Sequence, residues 1–430
     1  MLDMLDKILE LLENKDFPQL GNLLKDMNPA DVAELFEDLP REKMALVFRL
    51  LPKELAADAF AYMNPDEQTV LVEAFSDKEL HDVVNELYVD DAADMIEEMP
   101  ANLVKRILRH TDAETRVLIN QILNYPKDSA GSIMTMEYVD LKRGMTVEEA
   151  FDRIRAIGVE KETVYTCYVT DSRRKLKGIV TVKDLLLAPK NELIRNIMET
   201  NIIYVSTHTD KEEVASLFGK YDFLAVPVVD NEERLVGIVT VDDAIDVIQD
   251  EATEDIEMMA AITPTDKPYM KTGVFATWKK RIPWLLLLMI SATFTGSIIT
   301  SFEDALSASI VLTGFIPMLM DTGGNAGSQA SVSIIRGLSL GEIEYKDVGR
   351  ILWKEARVAF LCGVSLAIVV CSTLVVTVLA AKLVGCSLPV LAKRIGFDPA
   401  VMASPFITTI VDALSLLIYF RIACAVLHIG

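Results

Sequence analysis

Lys177-Gly178-Ile179-Val180-Thr181-Val182-Lys183-Asp184 recurs as Val236-Gly237-Ile238-Val239-Thr240-Val241-Asp242-Asp243, 59 residues further on. An apolar run ending in Asp precedes each copy, Tyr165–Asp171 and Leu224–Asp230. Short runs rich in β-branched residues and bounded by turn residues read as strands. The Thr/Asp segment at the end of each copy is a helix start. Each repeat therefore predicts strand, turn, strand, helix, and residues 126–250 predict an α/β pair.

Two such copies in register resemble a tandem cystathionine-β-synthase (CBS) pair, a regulatory module that often binds adenosine nucleotides. The resemblance implies an ATP site between the repeats, near Tyr165, Lys183, Phe223 and Asp243. The competing reading is a dimerisation module with Lys183 a solvated helix residue.

Working outward, residues 1–125 read as short amphipathic helices with punctuation every ten to fifteen residues. Asn28-Pro29-Ala30-Asp31, Leu51-Pro52-Lys53-Glu54 and Val89-Asp90-Asp91-Ala92 open similar phrases. Asn28 or Asp90 suits a helix cap, and Pro suits the first helical position. Such helices bury a face only by stacking, which predicts a right-angled helical-repeat domain. On the other side, residues 251–280 read as an acidic helical connector. It ends in Lys279-Lys280-Arg281 between Trp278 and Trp284. Basic residues and tryptophan beside an apolar run mark a cytosolic membrane interface.

The remainder, 281–430, reads as a helical transmembrane bundle. Ile282–Phe302 is long enough to cross ~30 Å of hydrocarbon, Ala305–Met320 returns, and Ala400–Leu427 crosses again. Arg336–Arg357 is polar and rich in both signs, and the basic loops at Arg350–Arg357 and Lys393-Arg394 should both be cytosolic. The 35 residues between Arg357 and Lys393 are short for two crossings. An omitted loop near Ile368–Cys371 is one resolution, and a single crossing with a reversed C-terminus the other.

Two features carry chemistry. Pro317-Met318-Leu319-Met320-Asp321-Thr322-Gly323-Gly324-Asn325-Ala326-Gly327-Ser328-Gln329 interrupts an apolar helix with glycines. Irregular backbone at membrane depth belongs where it lines water, and its freed carbonyls can coordinate a hard cation. Asn325 and Gln329, four apart, share a helix face. Close helix packing through small residues is the alternative. Asp412 has at least five uncharged residues on each side. A carboxylate so placed should face an aqueous path or a partner, and no Lys or Arg lies within a turn of it. Ser404-Pro405 is expected to break that helix two turns earlier.

These features are similar to those of the MgtE family of magnesium channels: helical N domain, CBS pair, connector, and a second crossing of the form P-x(4)-T-G-G-N-x-G-x-Q. The resemblance covers nearly the whole chain. It implies a homodimer with a pore on the two-fold axis, lined by the second and fifth crossings. Asp412 would then be the pore carboxylate, with Gly323, Gly324, Asn325, Gln329 and Thr409 around it. The family has five crossings where this sequence has room for about four.

Charge supports a cation partner. Of 42 Lys+Arg and 64 Asp+Glu, only 10 and 9 lie from Arg281 onward, so residues 1–280 carry about −23. Such a surface repels nucleic acid and anionic headgroups and attracts cations. Three groups of carboxylates are candidate Mg²⁺-sensing ligands: Asp90, Asp91 and Asp94; Glu212, Asp222, Asp242, Asp243 and Asp246; Glu251, Glu254 and Asp255. Unscreened like charges within a Debye length of ~8 Å repel, so bridging Mg²⁺ would draw these segments together and close the pore. A solvated acidic surface is the plain alternative. Four scattered histidines and five cysteines without a CxxC pair offer no softer-metal site. The expected protein is a multi-pass plasma-membrane Mg²⁺ channel with its N-terminal and CBS domains in the cytosol. A proton-coupled divalent-cation transporter is the alternative. A CBS-containing enzyme finds no nucleophile–base set or GxGxxG.

Overall fold

The fold is that of a computed structural model, described over residues 2–265, 269–308, 311–369, 373–394 and 404–427. The chain divides into two compact units, Met1–Val247 and Ile248–Gly430.

The first unit opens with helices α1 (Leu2–Glu13), α2 (Phe17–Lys25), α3 (Pro29–Asp38), α4 (Arg41–Phe48), α5 (Lys53–Ala61), α6 (Pro65–Ala74), α7 (Asp77–Val84), α8 (Val89–Glu98), α9 (Ala101–His110) and α10 (Ala113–Ile122). From α3 onward each helix packs on the next but one: α3 on α5, α4 on α6, and so to α8 on α10. One continuous apolar core runs through them, with Phe36, Phe48, Phe60 and Phe75 in successive edge-to-face and tilted contacts. This is the stacking that short half-apolar helices require. The caps differ from expectation. Asn28 occupies the N-cap position of α3, but its amide reaches Asp31 (3.4 Å) and no backbone N–H. Asp90 lies inside the first turn of α8, where Tyr88 is the N-cap residue, so its carboxylate caps nothing.

The repeats fold as two like sheets. In the first, β1 (Asp140–Lys142) pairs parallel with β2 (Thr166–Thr170), which pairs antiparallel with β3 (Leu176–Thr181). In the second, β4 (Val205–Ser206), β5 (Ala225–Val229) and β6 (Leu235–Thr240) repeat the order. The registers match position for position: Thr166 faces Thr181 as Ala225 faces Thr240, with an irregularity at Val169/Thr170 and at Val228/Val229. The repeated glycines have a steric reason. A Cβ on Gly178 would stand 2.7 Å from Met198 Sδ, and one on Gly237 would stand 2.6 Å from Met134 Sδ. The chain crosses each strand too closely for a side chain. As expected, helices follow each copy: α12 (Val182–Leu187), whose Thr181 and Asp184 form a capping box, and α15 (Val241–Met259). In chain order α11 (Val147–Ile157) lies between β1 and β2, α13 (Ile194–Ile197) between α12 and β4, and α14 (Lys211–Tyr221) between β4 and β5.

In the second unit α16 (Val274–Ser301), α17 (Glu303–Ala308), α18 (Val311–Ser339), α19 (Val348–Val369), α20 (Thr373–Arg394) and α21 (Ser404–Leu427) follow in order. Among the described residues α16 alone is long and apolar enough throughout to cross a membrane by that measure. The basic run Lys279–Arg281 lies within its first turns. Helices α18, α20 and α21 pack on one another, α19 packs on α20, and α16 packs on α21.

Two expectations change here. The second apolar segment is not Ala305–Met320 but Val311–Ser339, and it runs as helix through every glycine of the motif. Gly in a helix interior costs about 1 kcal/mol relative to Ala, but an apolar surround requires backbone groups to stay paired, so the helix continues. Ser404-Pro405 are the first described residues of α21, so the break expected there borders 395–403, outside the described residues. The 35-residue arithmetic also dissolves in part. Arg350, Lys354 and Arg357 lie on α19 and Lys393-Arg394 on α20, so basic residues count toward helix length. The expected break near Ile368–Cys371 falls on 370–372, outside the described residues.

Candidate functional site

Helix α18 places Asp321, Asn325 and Gln329 four residues apart on one exposed face, while Gly323, Gly324, Ala326 and Gly327 are buried. The glycines let neighbours approach. A Cβ on Gly324 would lie 3.2 Å from Thr408 Cγ2 and 3.5 Å from Asp412 Oδ1 of α21. On the other side of α18, a Cβ on Gly385 of α20 would stand 2.4 Å from Gly327 O. The helix is therefore continuous and closely packed here, which corrects the expected interruption by the glycines.

Asp412 is half-buried beside this seam, and the Asp321 carboxylate lies near enough for their charges to interact. Thr409, the next residue to Thr408 on α21, is also half-buried. Sequence reasoning passed over Asp321. Its spacing of four from Asn325 and eight from Gln329 was the available signal. Asp321, Asn325 and Gln329 on α18 and Thr408, Thr409 and Asp412 on α21 are oxygen-bearing groups of the kind a hydrated hard cation accepts.

A second site lies in the first unit. The start of α8 meets the start of α15, bringing Asp90, Asp91 and Asp94 to Asp242 and Asp243. Asp58 on α5 and two loop residues, Glu137 and Glu162, join them. The loops are tied together, Glu162 N–H donating to Glu137 O at 3.0 Å. Asp90 is 8% exposed, and its Oδ1 and Glu162 Oε2 are buried without a hydrogen-bond partner. Burial first, then Asp243 and Asp91, push the Asp90 carboxyl well above its usual range. Burial and Asp243 raise Asp91 to about 7. Asp94 keeps solvent access, yet the protein around it and the charges of Asp243 and Asp91 raise it to about 7 as well. Glu162 is raised to about 8 by burial and by Asp91. Asp243 reaches about 6 through burial, held back by the hydrogen bond that Thr240 Oγ1 donates to it (2.5 Å). Orphaned, mutually repelling carboxylates fit a cation. Among the described residues no three His, Cys, Asp or Glu side chains are close enough to surround one ion, so the chain alone forms a charged basin and not a closed coordination shell.

Other called residues lie elsewhere. Glu212 is in the first turn of α14, and Asp222 is its left-handed C-cap. Asp246 is near Tyr62, beside Asp242 and Asp91. Glu251, Glu254 and Asp255 lie on the part of α15 that belongs to the second unit. Asp255 Oδ2 accepts a hydrogen bond from Ser339 Oγ (3.1 Å), the last residue of α18. Of the nucleotide candidates, Tyr165 is 67% exposed just before β2, and Phe223 lies two residues before β5, stacked on Tyr221 at 5.3 Å. Lys183 is exposed on α12. None of the four lines the cavity of about 370 Å³ that Tyr138, Asp140, Arg153 and Arg174 enclose in the first repeat.

The basin has a measurable pH signature. In an unfolded chain these carboxyls titrate near 4, whereas the folded protein holds several of them near 6 to 8. The folded state thus binds more protons between those values, and its stability falls as pH rises through that window. Metal-free protein should melt lower at pH 8 than at pH 5.5, by about 5 °C or more, and excess Mg²⁺ should narrow the gap. Thermal melts showing equal or greater stability at pH 8 without metal would contradict this origin of the shifts.

Comparison with known proteins agrees with this architecture. The family model for the MgtE intracellular N domain matches residues 27–128, and the CBS-domain model matches 130–191 and 194–250. The model described as a divalent cation transporter matches 316–372 and 364–422, in two pieces that overlap around the short stretch between α19 and α20. The magnesium transporter MgtE of Thermus thermophilus is 37% identical over 96% of each chain. That of Bacillus subtilis is 33% identical over 98% of this chain and 97% of its own. The solved cytosolic domain of the Mg²⁺ channel MgtE in complex with ATP is 38% identical with a TM-score of 0.54, covering 56% of this chain and 99% of that one. The chain belongs to the MgtE family of magnesium transporters.

Proposed function

We propose that the protein is a Mg²⁺-selective channel of the plasma membrane, working as a homodimer and closed by cytosolic Mg²⁺. The observation that carries the reading is the seam between Gly324 and Asp412. It brings the polar face of α18 beside the one carboxylate of α21, and two-fold symmetry would present each set twice around a path. Mg²⁺ sheds water reluctantly, so a few carboxylates in a wide polar path suit it better than a tight protein cage. The long helices from α16 onward cross the bilayer in this reading, with the first unit in the cytosol.

Closure follows from the basin. Mg²⁺ held among Asp90, Asp91, Asp94, Asp242 and Asp243, and by Glu251, Glu254 and Asp255, would relieve their repulsion and favour a compact cytosolic dimer. The hydrogen bond between Asp255 and Ser339 gives the connector a direct hold on the end of α18, besides its continuation toward α16. ATP, which the solved relative binds, would sit near Tyr165, Lys183, Phe223 and Asp243 and add a second input.

The distinguishing experiment is Mg²⁺ influx into liposomes holding the purified protein, with and without a protonophore. A channel continues to conduct when the proton gradient is collapsed. Influx that stops with the gradient would instead favour the proton-coupled transporter.

A further inference from the structure

Within the helical bundle, Lys382 of α20 and Glu355 of α19 face each other at 3.5 Å, their side chains 7% and 13% exposed. The pore reading uses neither. Apolar layers lie on both sides of the pair. Ala326, Ala359, Val378 and Ala381 pack in one, and Ala330, Ile334, Cys386 and Val390 in the other. Burying two charges in such surroundings carries a desolvation cost that their attraction offsets only in part, and an apolar pair of similar size is often as stable or more so. An ionisable pair inside an apolar bundle therefore calls for a role other than stability.

Its position supplies one. Gly385, three residues after Lys382, meets the backbone of Gly327 on α18 so closely that no side chain fits. Gly324, one turn before Gly327, in turn meets Thr408 and Asp412. The contacts run Glu355 to Lys382, Gly385 to Gly327, Gly324 to Asp412, across four helices. Were α20 to slip by one residue, Val384 or Cys386 would be driven against Gly327, and α18 would be pushed from α21. Apolar layers of alanine and valine tolerate such a slip; a buried charge pair does not.

We propose that the Glu355–Lys382 pair fixes the register of α20 and thereby holds α18 at the spacing from α21 that conduction past Asp412 requires. It is a positioning pair, and the proposal rests on the channel reading above. The test reconstitutes the full-length chain as wild type, E355Q/K382M, the reversed pair E355K/K382E, and Asp412→Ala. Mg²⁺ and Co²⁺ influx are measured for each after size-exclusion checks. The neutral double variant leaves no lone buried charge, so it should fold. Its maximal Mg²⁺ flux should fall at least about tenfold, equivalent to about 1.4 kcal/mol in barrier. Its Mg²⁺/Co²⁺ ratio should change as well, because a displaced α18 alters the path, whereas mere loss of active protein scales both ions equally. The reversed pair should restore flux and ratio to within about threefold of wild type.

Unchanged flux in the neutral variant, or reduced flux at an unchanged ratio, would overturn the proposal. So would a folded reversed pair that restores neither; if that variant does not fold, the neutral one decides. Wild-type flux in Asp412→Ala would instead refute the channel reading on which the proposal stands.

Discussion

Asp412→Asn should lower Mg²⁺ conduction by about a hundredfold or more, equivalent to about 2.7 kcal/mol, while the protein folds and assembles as before. The amide keeps the shape of the side chain, so the seam with Gly324 and Thr408 survives. What it loses is charge. A carboxylate about 4 Å from a divalent ion in surroundings of effective dielectric ~20 contributes several kcal/mol, and in the proposed dimer both copies are lost together. Asp321, on the facing helix, should then support only residual flux. The variant should fail to sustain growth of cells that lack other Mg²⁺ uptake unless external Mg²⁺ is raised. Normal growth at low Mg²⁺ with normal protein levels would remove Asp412 from the path.

The second large effect concerns closure. Asp91→Asn, Asp243→Asn and Glu254→Gln combined should leave the channel open at cytosolic Mg²⁺ that closes the wild type, the half-closing concentration rising at least about tenfold. A ligand shifts a conformational equilibrium only by its difference in affinity for the two states. Here that difference comes from repulsion in the metal-free basin, where Asp243 raises Asp91 and the two together raise Asp94. Neutral residues remove the repulsion and with it the reason for Mg²⁺ to prefer the closed form. Flux recorded while Mg²⁺ is titrated on the cytosolic side checks this. Closure at the wild-type concentration would place the sensor elsewhere.

How much of this was legible depended on the kind of signal. The sheet pair was readable because Gly-Ile-Val-Thr recurs in register with its preceding strand, and the strands formed within a residue or two of Tyr165–Asp171 and Leu224–Asp230. The glycine motif was found but misread. Small residues announce close approach or an open backbone equally well, and the partner that decides, Gly385, lies 58 residues away in an unremarked apolar run. Lys382 was hidden in that same run, since one charge among alanines and valines has no pattern until Glu355 is brought opposite. In the acidic basin Asp91 and Asp243 could be named from their clusters. Asp58, Glu137 and Glu162 could not, because they sit singly on a helix and in loops that only the tertiary fold gathers.

The most direct test of the central claim is Mg²⁺ influx into liposomes at matched protein density, comparing wild type with Asp412→Asn under a collapsed proton gradient. The account predicts rapid influx for the wild type, falling as Mg²⁺ rises on the cytosolic face, and near-background influx for the variant. Equal influx in the two proteins would contradict it.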